Sequence, residues 1–117
     1  MSDAKLSAGD VEITLNGKTY VMRPTLKACL SISRQSGGIL EAVRRVGSYD
    51  FDQIVAVLSA GLEREDKEEL SEEIFRNGVV TLAAPAIKFL TVIANGGAHA
   101  AAEGEGPGEK DPPKASA

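Results

Sequence analysis

The sequence contains no tryptophan, one cysteine and one histidine among its 117 residues, and aromatic side chains account for only 4%. A single cysteine excludes a disulfide framework within one chain. The lone histidine, His99, has no second histidine or cysteine at ligand spacing, which argues against a zinc site. With so few aromatics, the core has to come mainly from Leu, Ile, Val and Ala, which favours closely packed helices.

Several signatures of chemistry and targeting are also missing. The glycine pairs are not followed by the Lys-Ser/Thr of a phosphate loop, and the acidic run EREDKEELSEE (63–73) lacks the frame of a calcium loop. We therefore expect no enzymatic activity, no cofactor and no metal. No apolar run reaches membrane-spanning length, and the N-terminus lacks the apolar region of a signal peptide. These absences predict a protein that is not embedded in a membrane, with Cys29 buried and reduced in the cytoplasm.

Charge is unevenly distributed along the chain, whose formal net charge is −4. The stretch 5–45 has seven basic residues against three acids, a net of +4, whereas 46–76 has nine acids against three basic residues, a net of −6. An acidic protein without a basic stripe is not expected to bind nucleic acid. The two oppositely charged stretches predict either head-to-tail self-association or docking onto a charged partner. The alternative is that both are solvated faces.

The strongest local signal is Asn16-Gly17, the favoured pair for a two-residue type I′ hairpin turn. This turn fixes the register, pairing Ile13 with Tyr20 and Val11 with Met22 on the face predicted to be buried. Because an isolated hairpin is marginal in water, that face must pack on something else.

Helical periodicity continues through the rest of the chain. Apolar spacing, caps and Gly-containing ends predict helices over about 25–36, 39–46, 51–62, 67–77 and 81–95, with Thr25 and an Asp50–Gln53 capping box among the starts. The fold class is therefore α+β: a hairpin (11–23) packed on a small helical bundle, forming one domain over 10–96. Residues 1–9 are predicted to be flexible, and 97–117, which are rich in Gly, Ala and Pro, to be a disordered C-terminal segment. The predicted inward residues of the first four helices are Leu26, Cys29, Leu30 and Ser33, then Ile39, Val43 and Val46, then Phe51, Ile54, Val55, Leu58 and Leu62, then Leu70, Ile74 and Phe75.

The last predicted helix, 81–95, has an apolar arc wider than half its circumference. Thr81 is expected to cap its start, and Pro85 to fall in or just after its first turn. So wide an arc predicts either a central core helix or a helix that keeps some apolar surface for a partner. The residues predicted to bind a partner are Leu82, Ala86, Ile87, Phe89, Leu90 and Ile93.

The order of these elements resembles a known family. The quoted segments are VEITLNGKTYVMRPT, ILEAVRRVG, IVAVLSAGL and EEIFRNGVVTLAAPAIKFLTVIANGG, spread over about 9–97. They resemble the small gene transfer agent proteins of alphaproteobacteria, which are related to phage tail assembly chaperones. The resemblance implies a non-enzymatic protein of the host cytoplasm that binds a tape measure protein and helps tail tube subunits polymerise around it. The homo-oligomer that the charge distribution predicts is a further possible partner.

Members of this family are also described as tail tube proteins. A tube subunit has to close a ring through long paired strands, whereas this sequence predicts one hairpin and several helices. The predicted elements therefore favour a chaperone over a tube protein within this family. The alternative is a structural tail component of tube or terminator type.

Overall fold

The computed structural model describes residues 7–97 and confirms the predicted α+β fold. An antiparallel hairpin is followed by five helices, and the largest shift from the predicted helix bounds is two residues, at the start of the last helix. Residues 1–6 and 98–117, which include most of the predicted flexible ends, lie outside the described range. The elements are β1 (Val11–Leu15), β2 (Lys18–Met22), α1 (Leu26–Ser36), α2 (Ile39–Gly47), α3 (Phe51–Leu62), α4 (Lys67–Asn77) and α5 (Val79–Ala94).

The hairpin forms in the predicted register, with Val11 opposite Met22 and Ile13 opposite Tyr20. Asn16 and Gly17 both have positive φ, 53° and 77°, as a type I′ turn requires. The predicted face is turned to the core: Val11, Ile13 and Met22 are buried, and Tyr20 packs against them from a partly exposed position. The turn therefore sets which side of the sheet meets the helices.

Asp10 holds the start of the domain in place. Its carboxylate accepts hydrogen bonds from the Ser7 amide (2.8 Å) and from the Arg23 guanidinium (2.6 Å). The backbone amide of Arg23 in turn donates to the carbonyl of Gly61 in α3, at 3.0 Å. Residues 8 and 9 lie in a turn that is closed by a 3.0 Å hydrogen bond from the Asp10 amide to the Ser7 carbonyl.

Helix α1 begins as predicted but turns a different face to the core. The hydroxyl of Thr25 caps it by accepting a hydrogen bond from the Ala28 amide, at 3.1 Å. The prediction that Leu26 and Leu30 point inward is wrong, since they are 73% and 39% exposed. The small side chains of Ala28 and Ser36 let the backbone of α1 approach its neighbours more closely than leucines at these positions would. The buried residues of α1 are Ala28, Ile32 and Ser36, and Cys29 is half-buried.

Helix α3 lies at the centre of the molecule and packs on the other four helices and on β2. The Asp50 carboxylate caps it by accepting from the Gln53 amide at 3.0 Å, as predicted. The second hydrogen bond of the predicted capping box, from the Asp50 amide to the Gln53 side chain, does not form. The Gln53 side chain donates to the Ser36 hydroxyl instead. The Asp50 amide is satisfied by the Arg45 carbonyl, at 2.9 Å.

Helix α5 starts earlier than predicted. Gly78, with φ of 97°, precedes its first residue, so Thr81 is inside the helix and does not cap it. Pro85 is consequently the seventh residue of α5 and lacks the N–H that would bond the Thr81 carbonyl. Thr81 is exposed, which leaves that carbonyl open to water.

Candidate functional site

The six residues predicted to bind a partner do not form an exposed arc. Helices α2, α3 and α4 and strand β1 pack around α5. Of the two alternatives for its wide apolar arc, α5 is a core helix, because the hairpin and the other helices together cover most of that arc. These side chains belong to the core that stabilises the fold. Five of them, Leu82, Ala86, Phe89, Leu90 and Ile93, are at most 6% exposed, and Ile87 is partly buried against the same core.

Large apolar side chains are exposed elsewhere. They lie on α1, on α2 and the turn after it, and around the corner between α4 and α5. A folded protein normally exposes some apolar surface, so single exposed residues need no special explanation. The place to look for a binding surface is where such a residue borders a depression. The exposed residues are Leu26, Leu30, Leu40, Tyr49, Phe75 and Val80.

One such depression, which we call the α1–α5 groove, lies between the start of α1 and the end of α5. It has a volume of about 200 Å³, and Leu26 stands at its edge with Leu30 one helical turn further along. This is smaller than the roughly 300–1,000 Å³ of typical small-molecule sites, so it suits one or two protein side chains. The lining residues are Pro24, Thr25, Leu26, Cys29, Ile93, Gly96 and Gly97.

Gly97 closes the groove by passing directly beneath the β2–α1 connection. Its φ is 69°, and a Cβ at this position would lie 2.6 Å from the Pro24 carbonyl oxygen. Ile93 forms part of the wall and is the one residue among the six predicted partner-binding positions that lines the groove. The sequence prediction therefore identified one wall of the groove and missed Leu26 at its edge.

A second cluster is centred on Arg64, just after α3. Its guanidinium bonds the carboxylates of Asp66 (2.6 Å) and Glu73 (2.9 Å), and lies 6.0 Å from the centre of the Tyr20 ring. The hydrogen bonds from Arg64 hold the pKa of Glu73 and of Asp66 below their usual values, outweighing the opposing effect of burial. Carboxylates that stay ionised in this way do not serve as proton donors at neutral pH. The cluster ties α4 to the hairpin and to the end of α3.

A shallow depression on α2 is lined by Glu41, Arg44, Arg45, Gly47 and Ser48. Glu41 accepts hydrogen bonds from Arg44 at 2.6 Å and from Arg45 at 3.2 Å. The bond from Arg44 is the main reason that the pKa of Glu41 is lowered. A Cβ added at Gly47 would meet no atom within 4 Å, so the space above this glycine is open.

Residues 7–97 contain no group of three or more His, Cys, Asp or Glu side chains placed to hold a metal ion. His99 lies outside that range. No single helix in the described part of the chain is both long and apolar enough to cross a membrane. Helices α4 and α5 reach that length only jointly, across a bend of 116°.

The described residues form a small α+β domain with an apolar groove between α1 and α5. Comparisons with protein-family models, with curated proteins and with solved structures gave no match to this chain.

Proposed function

We propose that this protein is a non-enzymatic tail assembly chaperone of a phage-like particle, either a gene transfer agent or a prophage. In this role it binds the tape measure and tail tube proteins in the bacterial cytoplasm during tail morphogenesis. Two points support the proposal: the resemblance of residues 9–97 to gene transfer agent proteins, and the α1–α5 groove with its exposed leucines. The groove is the observation that carries the binding role, and it replaces the buried arc of α5 as the client site.

The groove fits an amphipathic helix of the client. Leu26 and Leu30 are one turn apart and can pack against apolar residues spaced three or four apart on a partner helix, as in other helix-in-groove complexes. Covering a leucine side chain stabilises a complex by about 1.5–3 kcal/mol. The exposed Lys27 and Arg34 on the same helix favour a client with acidic flanks.

Co-expression with a tape measure protein tests this proposal. The wild-type chain should keep the client in solution and co-purify with it, whereas Leu26→Ser with Leu30→Ser should release it. Because both leucines are exposed, the double variant should retain its fold, which circular dichroism would verify. Tyr49→Asn is a matched control, since it removes an exposed aromatic away from the groove at a position of positive φ, 62°, that Asn tolerates. A client that stays insoluble and unbound with the wild-type chain would contradict the proposal.

Purified particles distinguish the chaperone from the alternative, a structural tail component. A chaperone should be present in the producing cells and missing from finished particles. Recovery of this chain in particles at a fixed ratio to the tube subunit would favour the structural alternative.

A further inference from the structure

Phe75 projects from the outer face of α4. It is 77% exposed, the most exposed of the large apolar side chains in the described range. Its neighbour Ile74 and Leu70 one turn earlier are fully buried and anchor the helix, so Phe75 has no role in the core. Glu72, three residues earlier and therefore on the same side of α4, has a side chain that is 74% exposed. An exposed aromatic beside an exposed carboxylate is a combination that can dock onto a basic depression.

The depression on α2 has the complementary properties. The space next to Gly47 is free of other atoms. The side chains of Arg44 and Arg45, which also line the depression, are 66% and 45% exposed. In the part of the chain that the structure describes, each guanidinium donates one hydrogen bond, to Glu41. A guanidinium carries five N–H donors and attracts aromatic faces, so both arginines can receive a further carboxylate and a phenyl ring.

The two surfaces carry opposite charge and lie on different elements. Helix α2 (Ile39–Gly47) contains two basic residues and one acid, a net of +1, whereas α4 (Lys67–Asn77) contains four acids and two basic residues, a net of −2. Helices α2 and α4 each pack on α3 and α5, which places both on the outside of the same central pair. The α2 depression and the surface around Phe75 share no residue with the lining of the α1–α5 groove, so self-association through them does not depend on the proposed function.

The geometry points to head-to-tail self-association, in which Phe75 of one copy docks in the α2 depression of a second copy and Glu72 faces Arg44 and Arg45. Such a contact joins two different surfaces, so in a bound pair one copy still has a free α2 depression and the other still has a free Phe75. The assembly therefore grows into a ring or an open chain instead of stopping at a symmetric dimer. Glu72 exchanges its surface ion pair with Arg76 (3.0 Å) for the arginines of the second copy, and exposed pairs of this kind contribute little stability.

Sedimentation of the full chain over a range of concentrations tests the inference. We expect species larger than a dimer at high concentration. The association should weaken from low to high salt, because the screening length falls from about 10 Å at 0.1 M to about 3 Å at 1 M. A wild-type chain that stays monomeric at the highest attainable concentration in low salt would overturn the inference.

Two variants that each disable one surface provide the sharper test. Phe75→Ser removes the aromatic and keeps the depression, and Gly47→Leu fills the depression and keeps the aromatic. Each alone should lose at least about tenfold in association constant, and mixing them should restore a single contact and give a one-to-one heterodimer. Tyr49→Asn should associate like the wild type. Undiminished self-association of either single variant, or failure of the mixture to form the heterodimer, would overturn the head-to-tail geometry. Thermal unfolding verifies that both variants fold.

Discussion

The side-chain amide of Gln53 donates a 2.8 Å hydrogen bond to the hydroxyl of Ser36, and both residues are buried. This bond links the last residue of α1 to the first turn of α3. Ser36→Ala should cost about 1–3 kcal/mol of unfolding free energy, because it leaves the buried Gln53 amide without its partner. Urea denaturation would measure the loss.

A double variant separates the lost bond from lost packing. Ser36→Ala combined with Gln53→Met, which is similar in shape and apolar, should recover much of the stability, since no buried polar group is then left unpaired. A double variant that is as unstable as the sum of its single changes would show that the hydrogen bond is not the source of the effect.

Gly61 should not tolerate a methyl group. A Cβ there would lie 3.0 Å from both the Met22 Cβ and the Phe89 Cζ, atoms that belong to the hairpin and to α5. Gly61→Ala should therefore destabilise the protein by about 1–3 kcal/mol through overpacking, despite its better helix propensity. Gly47→Ala is the matched control, because its Cβ meets no atom within 4 Å and should be neutral or stabilising. Thermal unfolding of the two variants measures the contrast, and equal behaviour would contradict it.

Truncating Phe89 and truncating Phe75 should change the unfolding free energy by very different amounts. Phe89 is fully buried, and Phe89→Ala should cost about 3–5 kcal/mol. Phe75 is 77% exposed, and Phe75→Ala should stay within about 0.5 kcal/mol of the wild type. Denaturant unfolding at low protein concentration gives both values without a contribution from self-association. A large loss for Phe75→Ala would place that residue in the core.

The pair of Arg64 and Glu73 should make stability depend on acid pH. Because the hydrogen bond from Arg64 lowers the pKa of folded Glu73, its stabilising contribution is complete above the unfolded pKa of about 4.3 and is lost as the pH falls through the folded pKa. Glu73→Gln should reduce stability at pH 7 and flatten the loss between neutral and acid pH. Glu68→Gln, at an exposed position of the same helix, should keep the wild-type profile. Unfolding measured from pH 7 to pH 3 tests this, and an unchanged slope in Glu73→Gln would contradict it.

Local signals in the sequence were enough to predict the elements of the fold. Asn16-Gly17 determines the hairpin and its register, and caps such as Thr25 and Asp50 mark helix starts within a residue. The start of α5 was harder to predict, because the local sequence favours Thr81 over Gly78 as the N-cap residue. Helix α5 nevertheless begins directly after Gly78, whose φ of 97° turns the chain between α4 and α5.

The faces of the helices were less predictable than their positions. In α1 both the Leu26–Leu30 stripe and the Ala28–Ile32 stripe are plausible inward faces. The Ser36–Gln53 bond, formed between residues 17 positions apart, accompanies the second choice. For Phe75 the sequence did contain a warning, because adjacent residues on a helix are about 100° apart and Ile74 already points inward. The groove was missed because two of its lining residues, Leu26 and Cys29, were both assigned to the core.

The packing of α5 against β1 has a consequence for synthesis on the ribosome. Strand β1 packs on α4 and α5, so its apolar face is not fully covered until α5 (Val79–Ala94) has also left the exit tunnel. Until then Val11 and Ile13 remain exposed to water, and contacts among incompletely packed helices stabilise the nascent chain. Complete packing of this domain is thus a late event that requires the synthesis of α5.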